Sequence, residues 1–156
     1  MSQVNGFDPI FDTVNAKKGI ANGLGATQTL SVDQSGETIV MDRAAGIVIT
    51  LPLAVPGLYY DFDVTTSVTS NSYKIITGAA TEFLVGGATN VDTDTSNAVA
   101  FFSGNGSTHR AVTMNGTTTG GLIGTSIRFT CLSATRWMVT GQIFGSGTVA
   151  TPFATS

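Results

Sequence analysis

The chain carries few of the side chains that do chemistry: one His, one Cys and two Glu in 156 residues. With a single imidazole and a single thiol, a tetrahedral zinc set of Cys and His ligands is excluded. A Ser-His-Asp or Cys-His relay would have to use His109. That residue follows the turn-forming run Gly104-Asn105-Gly106-Ser107-Thr108 and precedes Arg110, which reads as a solvated strand start. Cys131 has no partner for an intramolecular disulfide. It falls in phase with Ile127 and Phe129 on the apolar positions of Ile127-Arg128-Phe129-Thr130-Cys131, the pattern of a buried structural thiol.

Charge is scarce as well. Only 11% of residues are charged, against about 25% in an average soluble domain, and the net charge is -3. The seven Lys and Arg are dispersed, with Lys17-Lys18 the only adjacent pair, so no basic stripe exists to displace counterions from a nucleic-acid backbone. Gly, Thr, Ser and Asn fill the space between apolar residues. Such a surface is hydroxyl-rich and amide-rich, weakly self-repelling, and suited to being covered by other subunits. Long apolar runs are also missing. The uncharged stretch Ala44 to Tyr60 is broken by Gly46, Pro52, Pro56 and Gly57, whereas a membrane-spanning helix needs about 20 continuous apolar residues. The opening Met1-Ser2-Gln3-Val4-Asn5-Gly6 lacks the basic and apolar regions of a secretion signal, so synthesis in a cytoplasm is expected.

What is abundant is β-strand patterning. In Leu58-Tyr59-Tyr60-Asp61-Phe62-Asp63-Val64, the residues Leu58, Tyr60, Phe62 and Val64 share one face while Tyr59, Asp61 and Asp63 share the other. Similar runs predict about ten strands, near 28–32, 38–42, 46–51, 58–65, 72–77, 82–86, 98–103, 109–115, 122–132 and 136–144. Gly86-Gly87, Gly104-Asn105-Gly106, Asn115-Gly116 and Gly120-Gly121 read as punctuation between them. No window shows a 3.6-residue period. The expected fold is all-β, an antiparallel β-sandwich or jelly-roll-like barrel, because a single open sheet would leave an apolar face in water. A chain of this length fits one domain, organised as an extended N-terminal arm (1–27), a β body (28–144) and a Gly- and Thr-rich tail (145–156). The arm's scattered apolar residues, among them Phe7, Ile10 and Phe11, do not return enough burial to offset ordering it alone, so it is expected to pair with another surface. Phe153 is likewise expected to dock, on the body or on a neighbour.

The remaining candidates are weaker as chemistry. Asp61 and Asp63 share a strand face, and Asp92-Thr93-Asp94 lies in a polar loop that has oxygen ligands but lacks EF-hand spacing. Gly19, Gly23 and Gly25 form no phosphate-binding loop. Asn105-Gly106-Ser107 and Asn115-Gly116-Thr117 match glycosylation acceptors in pattern and read better as turns. Trp137 reads as a core plug, with stacking on a sugar as the alternative, while Tyr59 and Tyr73 are expected to face outward and serve interfaces. No cofactor is expected.

Several runs carry a family resemblance: Gly46-Ile47-Val48-Ile49-Thr50-Leu51-Pro52, Gly57-Leu58-Tyr59-Tyr60-Asp61-Phe62, Arg136-Trp137-Met138-Val139-Thr140-Gly141, and Ala150-Thr151-Pro152-Phe153. Over about residues 36 to 153 the chain resembles small β-rich structural proteins of tailed bacteriophages, above all head decoration, or cement, proteins. The resemblance implies a non-enzymatic virion protein that sits as a homotrimer on the outer capsid surface, contacts the major capsid protein and ties neighbouring capsomers together. Phage fibre or tail modules that bind receptors or carbohydrate share such motifs and give the alternative.

Overall fold

The computed structural model describes residues 19–94 and 98–156. Within them the chain forms β1 (Ile20–Ala21), β2 (Thr27–Thr29), a 3-10 turn (Val32–Gln34), β3 (Thr38–Met41), β4 (Ile47–Thr50), β5 (Tyr59–Val64), β6 (Tyr73–Ile76), β7 (Phe83–Asp92), β8 (Val99–Ser103), β9 (Ala111–Met114), β10 (Ser126–Ser133), β11 (Arg136–Gly145) and β12 (Phe153–Ala154). They assemble as a seven-stranded sheet in the order β1-β3-β5-β10-β11-β7-β8 and a five-stranded sheet in the order β12-β9-β6-β4-β2. The all-β sandwich read from the sequence is what the chain builds.

The strand directions are mixed rather than antiparallel throughout. From β1 to β6 the chain alternates between the two sheets, so each strand lies parallel to the one two places earlier: β1, β3 and β5 in the larger sheet, β2, β4 and β6 in the smaller. Parallel neighbours need a crossover, and here the opposite sheet supplies it. Alternation of apolar and polar residues is the same in either direction, which is why the sequence was silent on this point. After β6 the chain turns to antiparallel pairing for β10 with β5 and β11, β7 with β8, and β9 with β6 and β12, while β11 and β7 pair in parallel over ten residues.

Gly86-Gly87 is a second departure from expectation. It does not end a strand, and β7 runs through it for ten residues. Gly86 takes φ +73, and a Cβ on it would press on the Met138 side chain and lie 2.6 Å from Val139 O. A Cβ on Gly87 would strike the backbone of Phe102. Glycine is there because β11 and β8 approach too closely for a side chain.

The core lies between the sheets. Tyr60, Phe62, Phe129, Trp137 and Val139 from the larger sheet face Ile47, Ile49, Tyr73, Ile75, Val112 and Met114 from the smaller, all fully buried. Phe62 and Phe129 meet edge to face at 5.4 Å and Tyr60 tilts against Trp137 at 6.2 Å, geometries that favour aromatic pairs. The alternation expected for β5 holds, with Tyr60, Phe62 and Val64 buried and Tyr59, Asp61 and Asp63 half-buried. Of the segment read as an arm, residues 1–18 lie outside the described residues. Gly19 to Thr27 is part of the body: Ile20 and Ala21 pair with Thr38 and Ile39, and Thr27 with Val48. In the tail, Phe153 pairs with Val112 and is buried against the body.

Candidate functional site

The expected interface residues divide three ways. Phe7, Ile10 and Phe11 lie outside the described residues. Tyr73 and Phe153 are buried within this chain: this corrects the outward-facing expectation for Tyr73 and, of the two docking places expected for Phe153, selects the body over a neighbour. Tyr73 faces inward because it lies in phase with Ile75 on β6, and its hydroxyl finds acceptors inside, its one proton within reach of Thr66 O at 2.7 Å and Met41 O at 3.1 Å. Only Tyr59 remains partly exposed, and the Arg128 guanidinium sits 4.9 Å above its ring. Trp137 is the core plug its sequence context suggested. Of the rings the sequence offered to a sugar, Tyr73 and Trp137 are therefore buried and Tyr59 is covered.

The groups considered for chemistry are engaged in structure. Cys131 is buried and its thiol donates to Ser133 O at 3.2 Å. Burial pushes its pKa up and the Glu82 carboxylate adds to that, so the thiolate is disfavoured. Asp61 and Arg128 stand opposite each other on β5 and β10 and form a bidentate pair at 2.6 and 2.7 Å. This raises the Arg128 pKa. His109 is half-buried rather than solvated, stacked on Phe153 with ring centroids 6.1 Å apart. Asn105 and Asn115 order turns, as expected: Asn105 Oδ1 accepts from the backbone of Ser107, Thr108 and His109, and Asn115 Oδ1 from Thr117 and Thr119. Asp92 Oδ1 accepts from Asp94 N and Asp94 Oδ2 from Gly147 N, tying their loop to the start of the tail. Among the described residues, no group of three or more His, Cys, Asp and Glu is placed to hold a metal.

What the sequence reading missed is an apolar end. Val32, Leu53, Val55 and Leu132 are 49–65% exposed. The connections carrying them are bound together: Gly36 N donates to Tyr59 O, Gly57 N to Cys131 O, and Cys131 N to Leu58 O. The β4–β5 connection is further held by Glu82, whose Oε1 accepts from Ala54 N at 2.8 Å while Oε2 accepts from Trp137 Nε1 at 3.1 Å. Neither residues 51–58 nor residues 129–135 carry a charge. Pro52-Leu53-Ala54-Val55-Pro56 was legible as apolar, but the sequence did not show that Leu132 and Val32 close on the same end. A second exposed pair, Val99 and Phe101, lies on the edge strand β8. At the far end a cavity of about 270 Å³ is lined by Ala26, Ile47, Val48, Asn71 and Arg43, whose Nε donates to Gly46 O.

Compared with protein-family models, curated proteins and solved structures, the chain finds no match.

Proposed function

We propose that this chain is a non-enzymatic structural protein of a virion that decorates the outer surface of a phage capsid as a homotrimer and braces neighbouring capsomers through contacts with the major capsid protein. The observation that carries the reading is the apolar end. Four large aliphatic side chains stand in water on connections that hydrogen bonds hold in place, with no charge in residues 51–58 or 129–135 and only Asp33 and Glu37 on the connection that carries Val32. Large apolar side chains left exposed at one end of a domain mark a place where another protein sits, and preorganised loops lower the ordering cost of binding. The buried or covered states of Tyr73, Trp137 and Tyr59 favour this over the carbohydrate-binding alternative. The decoration role itself rests on the resemblance of the Gly46–Pro52, Gly57–Phe62 and Arg136–Gly141 runs.

The test is addition of the purified protein to capsids that lack it. Saturable binding on the head surface, with decorated shells surviving higher temperature, is the expected result. Binding without gain in survival removes the bracing role, and localisation to a collar or fibre tip removes the decoration role. Leu53→Asp together with Leu132→Asp is expected to weaken attachment at least tenfold without unfolding the body, since both side chains are already in water.

A further inference from the structure

Among the described residues the two sheets end in four edge strands, and three of them are short. β1 and β12 have two residues each and β2 has three, whereas β8 runs for five at the end of the larger sheet. Proteins protect sheet edges by keeping them short or by placing Lys, Pro or a bulge there, because a row of free N–H and C=O groups invites another strand. β8 carries none of these. Its register with β7 is regular from Gly87↔Ser103 to Val91↔Val99, and residues 95–108 contain no charge and no Pro.

The parity of the ladder fixes what this edge offers. Asp92 N donates to Ala98 O at 2.7 Å and Gly104 N to Gly86 O at 2.9 Å, so the even-numbered residues of β8 turn their backbone groups toward β7. Val99, Phe101 and Ser103 turn theirs outward. Among the described residues no backbone or side-chain group reaches them from the open side. The same residues hold the exposed side chains, with Val99 64% and Phe101 67% exposed. Phe101 leaves the edge clear, because its ring leans back over Gly87 on β7, where a Cβ would come within 2.6 Å of it.

The occupant that fits is a strand without charge that is apolar on the outer face of the sheet, and β8 itself has that character. We infer that two copies of this chain pair antiparallel through β8 about a two-fold axis at Phe101, joining their larger sheets edge to edge. Phe101 then stands opposite its own counterpart, and Val99 opposite the second copy's Ser103. These are the hydrogen-bonded positions of an antiparallel ladder, so every outward N–H and C=O of Val99, Phe101 and Ser103 finds a partner on both copies.

Other registers satisfy less. A slip of one residue sets the outward groups of one copy against residues whose own groups are committed to β7, and a slip of two leaves Val99 or Ser103 unpaired. Side chains agree with the symmetric register as well. Phe101 and Val99 lie beside the outer-face residues Val85, Thr89 and Val91 of β7, all uncharged, so no like charges meet across the axis. Five residues a side make a contact smaller than a standing dimer needs in dilute solution, so it fills as protein concentration rises. It is independent of the capsid role: it uses none of Val32, Leu53, Val55 and Leu132, and it adds to a trimer built through other surfaces.

NMR on a mixture of differently isotope-labelled full chains tests it. From micromolar to millimolar protein, exchange of the Phe101 and Ser103 amides is expected to slow at least about tenfold, while the Ala100 and Phe102 amides, bonded to β7, stay protected throughout. At millimolar protein a cross-chain contact is expected between the α-protons of Ala100 and Phe102, which face each other in this register. Ser103→Pro removes an outward N–H without touching the β7 ladder. It is expected to abolish both signals with the Ala100 amide still protected. Leu53→Asp together with Leu132→Asp is expected to change neither, which separates this contact from the apolar end. A Phe101 amide that exchanges freely at millimolar protein overturns the inference. Protection without the cross-chain contact also overturns it, since something other than a second β8 then covers the edge, as does a contact that Ser103→Pro leaves intact or that the double Asp variant removes.

Discussion

Glu82 accepts the indole proton of Trp137 at 3.1 Å while its other carboxylate oxygen accepts from the backbone of Ala54 at 2.8 Å. One buried side chain thus joins β11 in the larger sheet to the connection that carries Leu53 and Val55. Removing it leaves two donors in the protein interior without partners, at about 1–3 kcal/mol each. Glu82→Ala is expected to lower unfolding free energy by about 2–5 kcal/mol, and Glu82→Gln by less because one acceptor oxygen survives. Trp137 is the only tryptophan, so urea titration followed by its fluorescence reads both the stability and the local environment. A loss below about 0.5 kcal/mol for Glu82→Ala would show that water replaces the carboxylate freely.

Tyr60 gives a pH dependence. It is fully buried, its hydroxyl donates to Ser31 O at 2.8 Å, and burial, the first cause, pushes its pKa up to about 12 from 10.0. Because the folded value is raised, the unfolded chain ionises first as pH increases. The stabilisation is intact below pH 10 and is lost progressively as pH climbs toward 12, by about 3 kcal/mol in full. Tyr73 is raised for the same leading reason and adds to the loss. Tyr60→Phe is expected to cost about 1 kcal/mol at neutral pH and to flatten the alkaline decline. Denaturant midpoints measured from pH 8 to 11.5 separate the two effects.

The strands were legible wherever a two-residue period ran against turn residues, as in Tyr59–Val64, where every inward and outward assignment holds. Their partners were not. Thr38–Met41 and Ile47–Thr50 look like two arms of a hairpin across Ala45-Gly46, yet they lie in different sheets, and each finds its neighbours one full turn of the coil away. Local pattern encodes which face is buried but not which distant strand supplies the hydrogen bonds. Tyr73 illustrates the same limit: its phenol looked like interface chemistry until its phase with Ile75 put it inside. The apolar end was half visible, since Leu53 and Val55 lie two residues apart in one uncharged run, whereas Val32 and Leu132 reach it only through tertiary pairing.

Asp61 and Arg128 look stronger than they are. Their geometry is bidentate, but the side chains are 26% and 51% exposed, so water and salt screen most of the attraction. Asp61→Asn is expected to cost no more than about 1 kcal/mol, with the difference shrinking in 0.5 M salt. A double-mutant cycle with Arg128→Met isolates the pair from the contact between Arg128 and the Tyr59 ring. A coupling that persists undiminished in high salt would mean that the pair is shielded from solvent.

Gly87 sets how closely the edge strand β8 can lie on β7. A Cβ there would press on Phe102 O, come within 2.6 Å of the Phe101 ring and stand 3.0 Å from Ser103 Cα. Two of the three obstacles are backbone, so a rotamer change cannot relieve them. Phe101 instead lies over the bare glycine and covers the backbone that a side chain would otherwise shield. Gly87→Ala is therefore expected to push β8 outward at a cost of about 1–3 kcal/mol, with amides of Val99–Ser103 losing exchange protection while those of Ile127 and Phe129 keep theirs. Phe101→Ala in the same chain removes only the ring clash and is expected to recover little. Full recovery would place the constraint in the side chain rather than in the strand spacing, and would make Phe101, instead of the glycine, the residue that fixes this edge.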